Sequence, residues 1–171
     1  TVNADGFPII SYQDSSDILK IADCGNANCS SGNTLTLITD ISGGSAARYS
    51  AIGLGGDDLP VIATWGDNSP QTIQVAHCTS TTCSTWSTVT SLENTVAGAG
   101  VGLAVGTDGY VLISYRSSDE LYATHCGNYT CTTGNSAPGL LTKVGSIASP
   151  GSTGNVSVTG LGFTPKAVIF F

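Results

Sequence analysis

The sequence predicts an all-β chain built from three repeats, and three observations carry that prediction. All six cysteines fall into one pattern, a Cys followed five residues later by another: Cys24 and Cys29, Cys78 and Cys83, Cys126 and Cys131. Each first cysteine closes an alternating apolar run, Ile18–Cys24, Ile73–Cys78 and Leu121–Cys126, and such period-two alternation is the signature of a half-buried strand. The first cysteines lie 54 and then 48 positions apart, and a fixed period of that size marks a repeat architecture.

Taken in order, each repeat reads as an opening strand, a tight turn and three further strands. Repeat one has Thr1–Ala4, a turn at Asp5-Gly6, the strand Phe7–Tyr12, the run to Cys24 and a fourth strand over Thr34–Ile38. Repeat two has Ala51–Leu54, a turn over Gly55–Asp58, Leu59–Trp65, the run to Cys78 and a fourth strand over Ser84–Val89. Repeat three has Val101–Val105, a turn over Gly106–Gly109, Tyr110–Tyr115 and the run to Cys126, after which the fourth strand is poorly marked. Asp-Gly between alternating runs signals a hairpin, because Gly accepts the positive φ that tight turns require. Four antiparallel strands per repeat match a β-propeller blade, as in kelch-type repeats of about 50 residues. A β-sandwich of short strands is the alternative.

The predicted organisation is three blades within residues 1–139, approximately 1–46, 47–97 and 98–139, followed over 140–171 by the beginning of a second β-domain or a linker strand. Both ends stop where a folded domain would need more chain, so the sequence reads as a piece of a longer polypeptide. Three blades are fewer than the usual four to eight, so the ring would be closed by further sequence or by other copies.

Charge narrows the function classes. The net charge is −7, and the five basic residues, Lys20, Arg48, Arg116, Lys143 and Lys166, are scattered. Nucleic-acid binding needs clustered Lys and Arg, so that class is excluded. No apolar run approaches the roughly 18 residues of a membrane-spanning helix, and no membrane insertion is expected. Charged residues make up 10% of the chain against about 25% in typical domains; Ser, Thr, Asn and Gly supply the polarity instead.

The cysteine pairs admit two chemistries. Two cysteines flanking a four-residue hairpin loop on opposing strands lie within disulfide reach, each bridge contributing ~2 kcal/mol because the loop is short. The rival is a metal, since His77-Cys78 and His125-Cys126 set imidazoles beside thiols. Neighbouring strand residues point to opposite faces, however, and repeat one has Asp23 in place of His. Disulfides imply an oxidising compartment or a virion surface, with no cofactor. Asp5, Asp58 and Asp108 recur at the turn, and Asp17 and Asp119 recur after Ser-Ser; acids that repeat with the fold are turn formers. Equivalent positions do not supply the two environments that separate a catalytic acid from a base, and no G-x-S-x-G elbow occurs. Thr79–Trp86 loosely resembles the Asp-box turn of sialidases but lacks its Asp and Gly, and the chain has two arginines where those enzymes need three. No catalytic residue is assigned.

Among the aromatics, Tyr12, Trp65 and Tyr115 end the second strand of each repeat, and Trp86 follows a cysteine pair. Core packing is one role; a stacking platform for sugar rings is the other. The candidate ligand-binding residues are Trp65, Trp86, Asn128 and Tyr129. Asn28-Cys29-Ser30, Asn128-Tyr129-Thr130 and Asn155-Val156-Ser157 match glycosylation acceptors.

The segments Gly6–Asp14 and Leu19–Cys24, of the form G-x-P-x-I-S-Y…D-L-x-x-A-x-C, resemble propeller repeats of bacterial surface and phage-associated proteins over residues 1–135. Repeat two departs from that form with Thr64-Trp65 in place of Ser-Tyr. Thr153–Phe171, with its Gly-Phe-x-Pro turn, resembles the opening of a β-domain common in phage tail and tail-fibre proteins. The resemblance implies a non-enzymatic structural or receptor-binding module of a virion tail or fibre. Its loops would contact a host surface, including its glycans, and its partners would be other copies of itself or neighbouring surface proteins. The alternatives are a secreted bacterial adhesin or lectin, or part of a glycan hydrolase whose catalytic residues lie outside this chain.

Overall fold

A computed structural model describes residues 1–38, 47–66, 71–87, 89–95, 99–117 and 120–133. The expected domain over 140–171, the Asn155 acceptor, Asp119 and any fourth strand of repeat three beyond Thr133 lie outside these residues. Among the described residues the chain is all-β, with no helix. Three antiparallel sheets form, one per repeat. The first holds β1 (Ile9–Gln13), β2 (Leu19–Asp23) and β3 (Thr34–Leu37). The second holds β4 (Ala47–Leu54), β5 (Pro60–Gly66), β6 (Gln71–His77) and β7 (Thr90–Thr95). The third holds β8 (Ala99–Val105), β9 (Val111–Ser117) and β10 (Glu120–His125).

The sheets stack face to face, and the alternation of each strand assigns its two faces. In β5, Ile62 points toward the first sheet, where it joins Ile9, Leu19, Ile21, Ile38, Ala76, Cys78 and Cys83 in one core. Its neighbours Val61, Ala63 and Trp65 point the other way, into a second core with Val111, Ile113 and Tyr115 of the third sheet. Every residue of β5 is therefore buried, which explains why its sequence reads as a continuous apolar run rather than an alternating one. In the outer sheets the alternation survives: β2 buries Leu19, Ile21 and Asp23 and leaves Lys20 and Ala22 half-exposed.

Four sequence expectations are corrected. The fourth strand of repeat two is β7, Thr90–Thr95, not Ser84–Val89; within the latter, Trp86 makes only a single bridge to Cys78. The polar Ser84 and Thr85 belong to the loop leaving Cys83, where Thr79 N donates to Thr85 O. The opening strand of repeat one is a single bridge, Val2 to Pro8. Opening strands β4 and β8 start earlier than alternation suggested, because bulges at Tyr49 (φ 50°) and Gly100 (φ 78°) carry the pairing upstream. A bulge adds one residue and breaks the period-two pattern that sequence reading follows.

The fourth correction concerns equivalence. With the turns superposed, Tyr12 and Tyr115 correspond to Thr64, and Trp65 lies one residue further on, facing the opposite way. Ile10-Ser11-Tyr12 and Ile113-Ser114-Tyr115 thus align with Ile62-Ala63-Thr64, and Trp65 is no substitute for the tyrosine. Thr64 is fully buried, and its hydroxyl lies 3.4 and 3.3 Å from the carbonyl oxygens of Arg48 and Tyr49, on the β4 bulge.

Candidate functional site: the turn and disulfide rim

At one end of each sheet, the tight turn and the disulfide loop come together. The three turns share a hydrogen-bond pattern: Gly6 N donates to Asn3 O, Asp58 N to Gly55 O and Gly109 N to Gly106 O, each at 3.0 Å. Gly6 (φ 83°), Asp58 (φ 60°) and Gly109 (φ 83°) occupy the left-handed position that closes the turn, the geometry of a three-residue hairpin with a bulge. The equivalent acids are therefore Asp5, Asp57 and Asp108. Asp58, grouped with Asp5 and Asp108 on sequence, sits in the glycine slot; Asp is among the few side chains that tolerate it.

Asp57 and Asp108 act twice. Oδ1 of each accepts from a backbone N–H two residues on, Leu59 at 3.2 Å and Tyr110 at 3.1 Å. Oδ2 of each approaches a histidine on the strand entering the first cysteine, His77 Nε2 at 2.9 Å and His125 Nε2 at 3.2 Å. His77 Nε2 is buried and makes no hydrogen bond, although Asp57 Oδ2 lies 2.9 Å away. The Tyr110 N–H holds the Asp108 carboxyl below its ordinary value, assisted by His125 and opposed by partial burial. A Cβ on Gly55 or Gly106 would lie 2.7 or 2.5 Å from the folded-back carboxylate, so a side chain there would displace the carboxylate from this position.

Repeat one reaches the same joint with the groups exchanged. Asn3 stands where the others have Gly55 and Gly106, and its Oδ1 accepts from Asp5 N at 3.0 Å and Phe7 N at 3.1 Å. Its Nδ2 donates to Asp23 Oδ1 at 2.7 Å, a buried bond. The acid has moved from turn to strand and the nitrogen from strand to turn, which accounts for Asp23 in the place of His77 and His125.

All six cysteines are paired as the sequence suggested, with Cα–Cα distances of 4.8, 5.0 and 4.7 Å. This resolves the choice between disulfide and metal ligation in favour of the disulfide. The second cysteine of each pair does not lie on an opposing strand, however. Cys29, Cys83 and Cys131 sit in a turn with φ of 52°, 54° and 56°, their N–H groups donating to Asn26 O, Ser80 O and Asn128 O. The side chains of Asn26, Ser80 and Asn128 each accept from the N–H four residues on, at 3.1, 3.0 and 3.0 Å.

The four residues proposed as ligand contacts occupy four different settings. Asn128 is the loop residue just described, and its Nδ2 also donates to Thr132 Oγ1 at 2.8 Å. Tyr129 leans onto the neighbouring repeat, its ring stacked on His77 at 5.5 Å and edge-on to Tyr110 at 5.1 Å. Trp65 is 5% exposed in the second core, tilted against Tyr49. Trp86 is half-buried against the first core. Tyr129 belongs to the rim with Asn128, Trp86 borders it through its bridge to Cys78, and Trp65 lies in the second core. Sequence reading missed the Asp–His pairs, whose signal was the recurrence of His before Cys together with Asp in the preceding turn.

Besides the Tyr129 ring, a direct backbone contact joins the second and third repeats at the rim. Gly56 N donates to Gly109 O at 2.8 Å, and a Cβ on Gly56 would meet Gly109 Cα at 2.7 Å. Comparison with protein-family models and with curated proteins finds no match to this chain.

Proposed function

We propose that the chain is a non-enzymatic display module: consecutive blades of a propeller-like stack whose disulfide loops form a presenting rim on an extracellular or virion assembly. One observation carries the reading. The three loops repeat one backbone conformation, with second-cysteine φ values of 52°, 54° and 56°, while the residue at the corresponding tip position changes from Ala27 to Thr81 to Tyr129. A rigid frame with variable tips is how loops on a scaffold carry recognition. The polar residues that recur with the repeat, Asp57, Asp108, Asn26 and Asn128, are engaged in holding that frame.

The stacked sheets and the resemblance to phage-associated and bacterial surface repeats support a propeller-like arrangement and a host-surface partner, glycans included. Three disulfides agree with an extracellular or secreted setting. Affinity would come from several loops acting together, since multivalent contact raises avidity without new chemistry. The test is binding of the oxidised chain to isolated cell-envelope polysaccharide, with substitutions at the loop-tip residues Ala27, Asn28 and Thr81. Binding without shortening of the polysaccharide, weakened about tenfold or more by the combined tip substitutions, is expected. Release of shortened glycan, or binding indifferent to the tips, would overturn the proposal.

A further inference from the structure

Six large apolar side chains stand exposed among the described residues, and four lie on one face of the first sheet: Val2 (53%), Ile10 (44%), Leu35 (66%) and Leu37 (41%). The register puts them there. Ile10 pairs with Ala22 and Ala22 with Leu35; Tyr12 pairs with Lys20 and Lys20 with Leu37; Val2 bridges Pro8, two residues before Ile10. Directly paired residues share a face, as do alternate residues along a strand. Apolar exposure gathered on one face, unlike scattered single residues, marks an interaction surface.

The repeats indicate what covers it. The equivalents of Ile10 are Ile62 and Ile113, both fully buried, and each is covered by the sheet that precedes it. Ile62 is covered by the Ile9, Leu19 and Ile21 face of the first sheet. The corresponding face of the third sheet, with Leu112, Ser114, Ala123, His125 and Ala104 in register, is half-exposed to exposed. One end of the stack thus presents the face that receives a preceding sheet, and the other end presents the face that covers a following one.

We infer that the chain associates head to tail with a second copy, the Ile10–Leu35–Leu37 face of one molecule packing on the Leu112–Ser114–Ala104 face of the next. The interface would repeat the sheet-on-sheet packing already present twice within the molecule. Lys20 does not oppose it, because its ammonium turns to Asp14 at 2.7 Å. The contact is heterologous, so it produces a ring if the rotation closes and an open series if it does not. It is independent of what the rim binds.

Light scattering on the oxidised 171-residue chain, together with two variants, tests this. Leu35→Glu and Ala104→Glu each alter an exposed side chain, one on each face. Wild type should show a mass above the monomer, and each variant alone should associate at least about tenfold more weakly. An equimolar mixture should form a dimer and stop, because it retains one intact head and one intact tail. In the NMR spectrum of wild type, His125 should shift on association while His77, already covered by Tyr129, stays constant. A wild-type chain monomeric to millimolar concentration would overturn the inference. So would association abolished by Leu35→Glu but untouched by Ala104→Glu, the result expected of symmetric first-sheet pairing.

Discussion

The first and second repeats share a turn, a disulfide loop and a strand pattern, yet one is built as an edge and the other as an interior. Ile10 and Ile62 occupy the same position of the same strand; one is 44% exposed and the other fully buried. Cys29 is half-buried where Cys83 is fully buried in the first core. At the joint, repeat one uses an amide and an acid where repeat two uses an acid and an imidazole. The repeat therefore fixes backbone geometry, while the neighbouring sheet decides how much each side chain contributes.

The largest test of that statement is a matched pair of truncations. Ile62→Ala should destabilise by about 2–5 kcal/mol, and Ile10→Ala by less than about 0.5 kcal/mol, in urea unfolding of the oxidised monomer. Equal losses would mean that position in the repeat, rather than burial, sets the energy. Next in size come the disulfides. Replacing Cys78 and Cys83 together by Ala should cost about 3 kcal/mol, because a buried core contact goes with the crosslink. The same change at Cys24 and Cys29 should cost less, about 2 kcal/mol, because only Cys24 of that pair is buried. Thermal unfolding of both double variants decides it.

Much of this was legible in the sequence. The three-fold spacing of cysteine pairs, the Asp-bearing turns and the alternating runs gave the repeat, the all-β class and the disulfides. What was not legible had physical causes. Bulges at Tyr49 and Gly100 break alternation just where β4 and β8 begin. β5 is buried on both faces, so nothing in Pro60–Gly66 showed which side Trp65 takes. The exchange of Asn3 and Asp23 for Asp57 and His77 joins positions 20 apart in both of these repeats, and such a contact appears only once the turn is folded against the strand. The rim role of Tyr129 lies between repeats, where a reading made one repeat at a time finds no signal.

Two smaller tests address the joint itself. Asp58→Gly should stabilise by about 0.5 kcal/mol, because φ there is left-handed and the sister turns already use glycine; a loss would show that Asp58 has a role its neighbours lack. The smallest effect is electrostatic. Because the folded protein holds the Asp108 carboxyl below the ordinary value of 3.8, that group adds stability at pH above 3.8 and loses it as pH falls through the lowered value. Asp108→Asn should remove this part of the acid-side decline, and carbon-detected NMR titration of wild type should find Asp108 protonating below 3.8.

The contact between Gly56 and Gly109 limits how this chain can vary over time. Most packed joints drift by compensation: one side chain grows and its neighbour shrinks. Here neither partner has a side chain to surrender, and a Cβ on Gly56 would meet Gly109 Cα at 2.7 Å. At the corresponding positions of repeats one and two stand Ala4 and Asp58, each of which carries a Cβ. That backbone contact between repeats two and three therefore offers no gradual path of side-chain exchange, unlike the packed side chains on either side of it.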